Sequence, residues 1–276
     1  MKKYLEKNVY EALQDRLKFV FDNFDNIYVS FSGGKDSGLL LNSMVLSYKR
    51  RNKIAKKIGV FHQDFEAQYQ TTTDFVSRMF ENNLRDIEPY WVCLPMGSRC
   101  AVRNYQMYWY PWDPDKEELW VRPMPKMPYI INMDNNPFDF YRYKMVQEDL
   151  YAEFGEWYSR QKKGKTICLL GIRADESLNR YRAYANDRKT IMQGNQWTTK
   201  MGENWWNAYP IYDWTTKDVW IANGKFDYDY NRIYDLFWKA GLSISQMRVA
   251  SPYRESAKES PVSYTHLRAH ETKANL

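Results

Sequence analysis

Apolar positions recur every three or four residues at Leu5, Val9, Leu13, Leu17, Phe21 and Phe24. That spacing puts them on one face of a helix over 3–24. The pattern then changes: 27–31, Ile-Tyr-Val-Ser-Phe, is a short dense run that reads as a strand. Helical spacing returns over 38–49, and the basic stretch 49–57 reads as a solvated loop or helix end. Residues 58–61 read as a second strand leading into His62, Gln63, Asp64, Phe65 and Glu66. A helix over 71–83, capped by Thr71 or Thr72, and a third strand over 90–94 follow. The order α-β-α-β-α-β predicts an α/β fold, a doubly wound parallel sheet with helices on both faces.

Residues 95–138 break this rhythm. Seven prolines, from Pro95 to Pro137, stand among Trp109, Trp112 and Trp120. Proline at this density blocks long helices and central strands, while the aromatic content argues against disorder. The segment reads as a structured insertion over the rim of a site. Beyond it, 138–162 reads as one long helix, 166–170 as a fourth strand and 175–188 as a helix. Residues 194–207 read as loop and 209–212 as a fifth strand. Residues 218–222 and 230–240 read as helices, with Gly241 placed as a C-terminal cap. The expected organisation is an α/β domain over 1–222 containing the insertion, then a helical extension over 223–261. Residues 262–276 continue no pattern and resemble a translated sequencing-adapter read-through, so they are set aside from fold reasoning and the native chain is expected to continue past about residue 260.

Composition narrows the setting. No run of 18 apolar residues is present, which excludes a membrane-spanning helix from the expectation. The first residues lack the apolar stretch of a signal peptide. Three cysteines, Cys93, Cys100 and Cys168, show no zinc spacing, and a reducing cytoplasm fits them. The net charge of +6 suits an anionic ligand and permits nucleic acid without arguing for it. With 23 Tyr and 11 Trp, some aromatic surface is left over for stacking on bases.

The most specific chemistry stands at Ser32-Gly33-Gly34-Lys35-Asp36-Ser37, between the first strand and its helix. Glycines let backbone approach an anion, and N–H groups at a helix start point at it. Lys35 adds a mobile cation, and Ser32 and Ser37 add hydroxyls. The pattern is neither Gly-x-x-x-x-Gly-Lys-Ser/Thr nor Gly-x-Gly-x-x-Gly. It resembles the PP-loop of the ATP pyrophosphatases. Gly171-Ile172-Arg173-x-x-Glu176-Ser177-x-x-Arg180 resembles the second signature of the phosphoadenylylsulfate (PAPS) reductase and sulfurylase branch. Pro210-Ile211-Tyr212-Asp213-Trp214, ending in Asp218-Val219-Trp220, resembles a third block of that branch. Within it, the chain is similar to PAPS-reductase-like proteins of bacteria and phages, some linked to gene activation beside a ParB-like partner.

The resemblance implies an adenine nucleotide alpha hydrolase-like fold and an adenine nucleotide, ATP or PAPS, as ligand. Phosphates would lie on Gly33, Gly34, Lys35 and Ser37. The base would meet backbone around Ser30, Phe31 and Phe61 to Gln63, and Gly171 would admit the ribose. Lys35, Arg173 and Arg180 would act on the phosphates, with Ser32, Glu176 and Ser177 beside them. Asp36 has two readings: a helix cap, or a residue that holds Mg²⁺ through water. Glu176 reads first as a salt-bridge partner for one of the arginines. Asp64 and Glu66 read as metal ligands or as polar loop residues, and His62 as structural or as a general base. Arg99, Arg103, Tyr105, Tyr108, Trp109, Arg122, Arg142 and Lys144 read as a nucleic-acid or second-substrate surface, or as an ordinary packed insertion. The reductases' Glu-Cys-Gly-Leu-His motif is absent, so thiol attack is not expected and adenylyl transfer stays open. The competing expectation is a regulatory or nucleic-acid-associated protein acting with a ParB-like partner.

Overall fold

The computed structural model describes residues 6–51, 56–100, 107–186 and 188–251. The expectations for Leu5, Arg103, Tyr105 and 262–276 lie outside them. In chain order the elements begin α1 (Val9–Asn23), β1 (Asn26–Ser30), α2 (Lys35–Lys49), β2 (Ile58–Gln63), α3 (Gln70–Glu81) and β3 (Ile87–Val92). The insertion carries β4 (Ser98–Arg99), β5 (Tyr108–Trp109), a 3-10 turn (Pro114–Leu119) and β6 (Ile130–Ile131). Then come α4 (Gln147–Lys162), β7 (Thr166–Leu170), α5 (Leu178–Ala185), β8 (Thr198–Lys200), β9 (Trp205–Ala208), α6 (Thr216–Lys225) and α7 (Ile233–Lys239).

Two units divide the chain. The first comprises Met1–Phe61, Arg78–Pro89 and Gly155–Tyr230; the second comprises His62–Ser77, Tyr90–Phe154 and Asn231–Leu276. Both are assembled from alternating stretches of the chain.

In the first unit, β1 runs parallel to β2 on one side and to β7 on the other, and β7 runs parallel to β9. Among the described residues of this unit, β8 is the antiparallel strand, on β9. The architecture is α/β with a largely parallel sheet, as the alternation predicts. Parallel strands covered on both faces need apolar side chains in both directions. Tyr28, Val29, Ile167 and Leu169 are buried accordingly. Asn8 starts α1 through a capping box, accepting the N–H groups of Tyr10 and Glu11 at 3.0 Å while Glu11 returns to the Asn8 N–H. That helix buries Leu13, Leu17 and Val20, each such burial contributing roughly 1.5–3 kcal/mol.

In the second unit, β3 runs parallel to β6, pairing Trp91 with Ile130 and Val92 with Ile131. The insertion is therefore partly a strand supplier. Its β4 and β5 form a separate antiparallel pair.

Five expectations are corrected. The helix over 138–162 is real only from Gln147, because Asn136 Oδ1 accepts the Phe138 N–H and Lys144 sits at φ +60°, both non-helical. The helix over 175–188 shortens to α5 because Ser177 caps it, accepting the Arg180 N–H at 3.3 Å. The loop at 194–207 contains β8 and β9, whose Trp205 and Trp206 are buried. The strand at 209–212 is instead a turn closed by Tyr212 N–H on the Tyr209 carbonyl at 3.1 Å. The cap of α3 also moves: Thr72 and Thr73 both donate to the Tyr69 carbonyl, one position before the helix. Gly241, at φ +83°, follows the end of α7 as expected.

Candidate functional site

The loop between β1 and α2 turns at Gly33, where φ is +75°. A side chain there would be strained, so glycine is the residue the turn requires. Gly34 is the N-cap of α2 and offers no side chain to its first N–H groups. Those groups have no carbonyl one turn back to receive them, and the helix dipole adds positive potential. The two hydroxyls of the motif brace the loop. Ser37 Oγ accepts the Ser32 N–H at 3.2 Å, donates to the Gly34 carbonyl at 3.2 Å and lies 2.9 Å from Ser32 Oγ. The Phe31 N–H donates to the Phe61 carbonyl at 2.8 Å, so the β1 end that launches the loop is tied to β2.

Beside the loop stands a buried ionic chain. Lys35 Nζ donates to Asp36 Oδ2 at 3.0 Å, and Arg173 Nε donates to Asp36 Oδ1 at 2.6 Å. Arg173 Nη1 also donates to Asp175 Oδ1 and, at 3.5 Å, to the Trp214 carbonyl. Arg173 is 1% exposed, a burial that a guanidinium tolerates only with partners of this kind. Asp36 does not cap α2, whose N-cap is Gly34; both its oxygens face cations instead. Among the described residues no group of three or more His, Cys, Asp or Glu is arranged to hold a metal ion.

The Gly171–Arg180 block is folded against this loop. A Cβ on Gly171 would lie 2.8 Å from the Ser37 nitrogen and 2.9 Å from the Asp36 carbonyl carbon. The close approach that Gly171 permits is thus made by the protein's own backbone at the start of α2. Glu176 pairs with Arg180 at 3.1 Å, as expected, and accepts weakly from the Arg173 N–H at 3.5 Å. The Arg180 side chain is 45% exposed, in contrast to Arg173. The third block is the buttress: Tyr212 O accepts the Ala174 N–H at 2.8 Å, and Trp214 is fully buried with its indole N–H on the Val9 carbonyl. Asp218 completes a capping box with Thr215. Sequence reasoning gave Asp175 and the Trp214 carbonyl no role. Asp175 lies inside the second motif, two residues from Arg173, and that spacing was the available signal.

The second unit gathers Asp64, Glu66 and Arg122. Both Asp64 oxygens accept from Arg122 Nη2, at 2.6 and 2.5 Å, and Oδ2 also accepts the Trp91 indole N–H at 2.9 Å. Glu66, at φ +59°, accepts the Trp112 and Val121 N–H groups at 2.7 and 2.8 Å. Burial pushes the Glu66 carboxyl above its ordinary range, against the pull of those two N–H groups. Each of these carboxylate oxygens accepts from a protein donor, so the pair holds the insertion, which fits the polar-loop reading of the two residues. His62 is buried, its ring edge-on to Trp91 at 5.2 Å. From the expected basic-aromatic surface, Arg122 stacks over Trp112, Lys144 pairs with Asp113 at 2.9 Å and Arg142 pairs with Glu153. Cys93 and Cys168 are buried, and burial raises both thiols, Cys168 to about 12. Cys100 is half-buried.

The chain is 36% identical over 252 residues to "Uncharacterized protein YbdN" of Escherichia coli (strain K12), covering 90% of this chain. It spans about 60% of the length of that curated relative. No protein-family description matches. Among solved structures, the PAPS reductase of Candida auris in a phosphate complex overlaps 85% of this chain and 93% of its own, at a TM-score of 0.44 and 12% identity. The Candida glabrata FMN adenylyltransferase with FMN and the ATP analogue AMPCPP overlaps 85% of this chain and 64% of its own, at 0.45 and 13%. The U34-tRNA thiolase NcsA of Methanococcus maripaludis overlaps 98% and 76%, at 0.44 and 12%.

Proposed function

We propose that the first unit binds an adenine nucleotide, ATP or PAPS, with its phosphates on the loop from Ser32 to Ser37. We further propose that the protein splits ATP between its α- and β-phosphates in an adenylyl transfer. The observation that carries this reading is the loop itself: a positive-φ glycine just before a helix whose N-cap, Gly34, gives its first N–H groups no side-chain acceptor, with Lys35 at the helix start.

In this reading an acceptor oxyanion attacks the α-phosphorus, the α–β bridging bond breaks, and pyrophosphate leaves on the loop. Lys35 exchanges Asp36 for a phosphate oxygen, so its charge meets the growing charge of the leaving group. Arg173 is a positioning residue: its Nε and Nη1 hold Asp36 and Asp175. Arg180, exposed and paired among the described residues with Glu176, can turn toward phosphate. Asp36 does not fit an inner-sphere Mg²⁺, because each of its oxygens already faces a cation. Cys93 and Cys168, buried with raised thiols, do not fit a nucleophile.

Calorimetry with ATP and PAPS tests the binding. Lys35→Ala should weaken it by roughly 1.5–3 kcal/mol, the range of a charge-assisted hydrogen bond. Equal affinity in both proteins would end the assignment. Pyrophosphate release from ATP in the presence of candidate oxyanions then tests the chemistry.

A further inference from the structure

A cleft of about 510 Å³ lies in the first unit at the amino-terminal ends of β1 and β2, around Asn26 and Ile58. The loop at Ser32 to Ser37 leaves β1 at its other end. The four residue steps from Asn26 to Ser30 separate the two ends of β1 by roughly 13 Å at about 3.3 Å per residue. Nothing in the nucleotide reading uses this cleft.

Its walls are of two kinds. Phe21, Phe24, Ile27 and Ile58 give it an apolar side, closed by the Tyr158 ring. Lys56, Lys57 and Lys162 give it a cationic side. Two carboxylates also line it, and both are engaged. Glu88 pairs with Lys162 at 2.7 Å, and Asp25 accepts the Lys165 backbone N–H at 2.8 Å. The other two ammonium groups meet only neutral oxygens. Lys56 Nζ donates to Asn26 Oδ1 at 3.0 Å, and Lys57 Nζ donates to the Leu84 carbonyl at 2.7 Å. Asn26 is itself held, its Nδ2 donating to the Lys163 carbonyl at 2.9 Å, so its oxygen is turned toward Lys56. Among the described residues neither Lys56 nor Lys57 has an anionic partner.

We propose that this cleft binds a small amphipathic carboxylate, a medium-chain acyl or aryl acid. The head group takes Lys56 and Lys57, and the apolar body lies against Phe21 and Phe24. The volume is within the range of small-molecule sites, roughly 300–1,000 Å³. Inorganic phosphate would answer the two ammonium groups but leave the phenylalanine walls wet. A nucleic-acid backbone needs a groove that tracks successive phosphates, whereas this is a local cleft with an apolar wall. An anion of one charge on an apolar body matches both sides at once.

The test is calorimetric titration of the whole chain with octanoate, alongside acetate, 1-octanol, inorganic phosphate and a single-stranded DNA oligonucleotide. Octanoate should bind more tightly than all four. The double variant Lys56→Gln/Lys57→Gln should weaken octanoate about tenfold or more, the loss of at least one charge-assisted hydrogen bond. The same variant should leave ATP affinity and the thermal midpoint unchanged, which separates this site from the loop and from unfolding. Octanol or acetate binding as well as octanoate, or octanoate unaffected by the double variant, would overturn the proposal. So would the absence of octanoate binding. Oligonucleotide binding that the double variant abolishes, without octanoate binding, would make the cluster a nucleic-acid face instead.

Discussion

Each unit sets an arginine against a buried aspartate, and the two clusters are wired differently. In the first, Asp36 receives Lys35 and Arg173, one cation on each oxygen. In the second, Asp64 and Glu66 share one arginine, and backbone N–H groups and an indole supply the other donors. Backbone donors cannot turn away without unfolding the segment that carries them. A lysine ammonium on a flexible stem can. The second cluster is therefore a fastening, and the first contains one bond that an arriving anion can take over.

Breaking the fastening should have the largest effect. Arg122→Ala leaves Asp64, whose side chain is 0% exposed, without its cation, and should cost about 3–5 kcal/mol of stability. Chemical denaturation measures it; a loss below about 1 kcal/mol would show that the Trp91 indole and the Glu66 N–H, which Asp64 Oδ1 accepts at 2.7 Å, suffice. Lys35→Ala should do the reverse, lowering nucleotide affinity by roughly 1.5–3 kcal/mol while the melting temperature moves little. An Lys35→Ala protein that melts as early as Arg122→Ala would erase the contrast.

Gly171→Ala sharpens the comparison from the backbone side. Its methyl would meet the Ser37 nitrogen at 2.8 Å, so the start of α2 must shift, at about 1–3 kcal/mol for an overpacked contact. Stability and ATP affinity should fall together. Affinity that survives the shift would mean that the loop's position is not what binds phosphate.

The smallest effect is one of pH. The folded carboxyl of Glu66 is raised above the ordinary value of 4.5, so the folded chain holds that proton more tightly than the unfolded chain. Its contribution is fully present below 4.5 and is lost as pH rises through the raised value. The difference in stability between the native chain and Glu66→Gln should therefore slope in that window and level off above it. A difference that is flat from pH 4 upward would contradict the raised carboxyl.

The sequence made the two central strands legible because 27–31 and 166–170 are dense apolar runs that end at polar or glycine turns. The phosphate-type loop was legible for a related reason, since only glycine is comfortable at the φ of Gly33. The helix over 138–162 was overextended because Phe138 and Met145 are buried from a non-helical segment, and burial alone mimics helical spacing. β9 was missed because Trp205-Trp206-Asn207-Ala208 is too short to show alternation. The partners of Asp36 and Asp64 were not legible. Arg173 stands 137 positions from Asp36, and Glu66 is answered by backbone groups that every residue type carries.

The pairing of Ile130 and Ile131 with β3 has a practical consequence for anyone trimming this chain. Excising 95–138 as a dispensable loop would strip a strand from Trp91 and Val92 and leave their ladder groups open. A bare apolar edge of that sort recruits other chains. The shortened protein would then be lost to precipitation, and an inactive preparation would say nothing about whether the insertion takes part in the chemistry. A sounder trimming stops short of Ile130 and keeps Arg122 on Asp64.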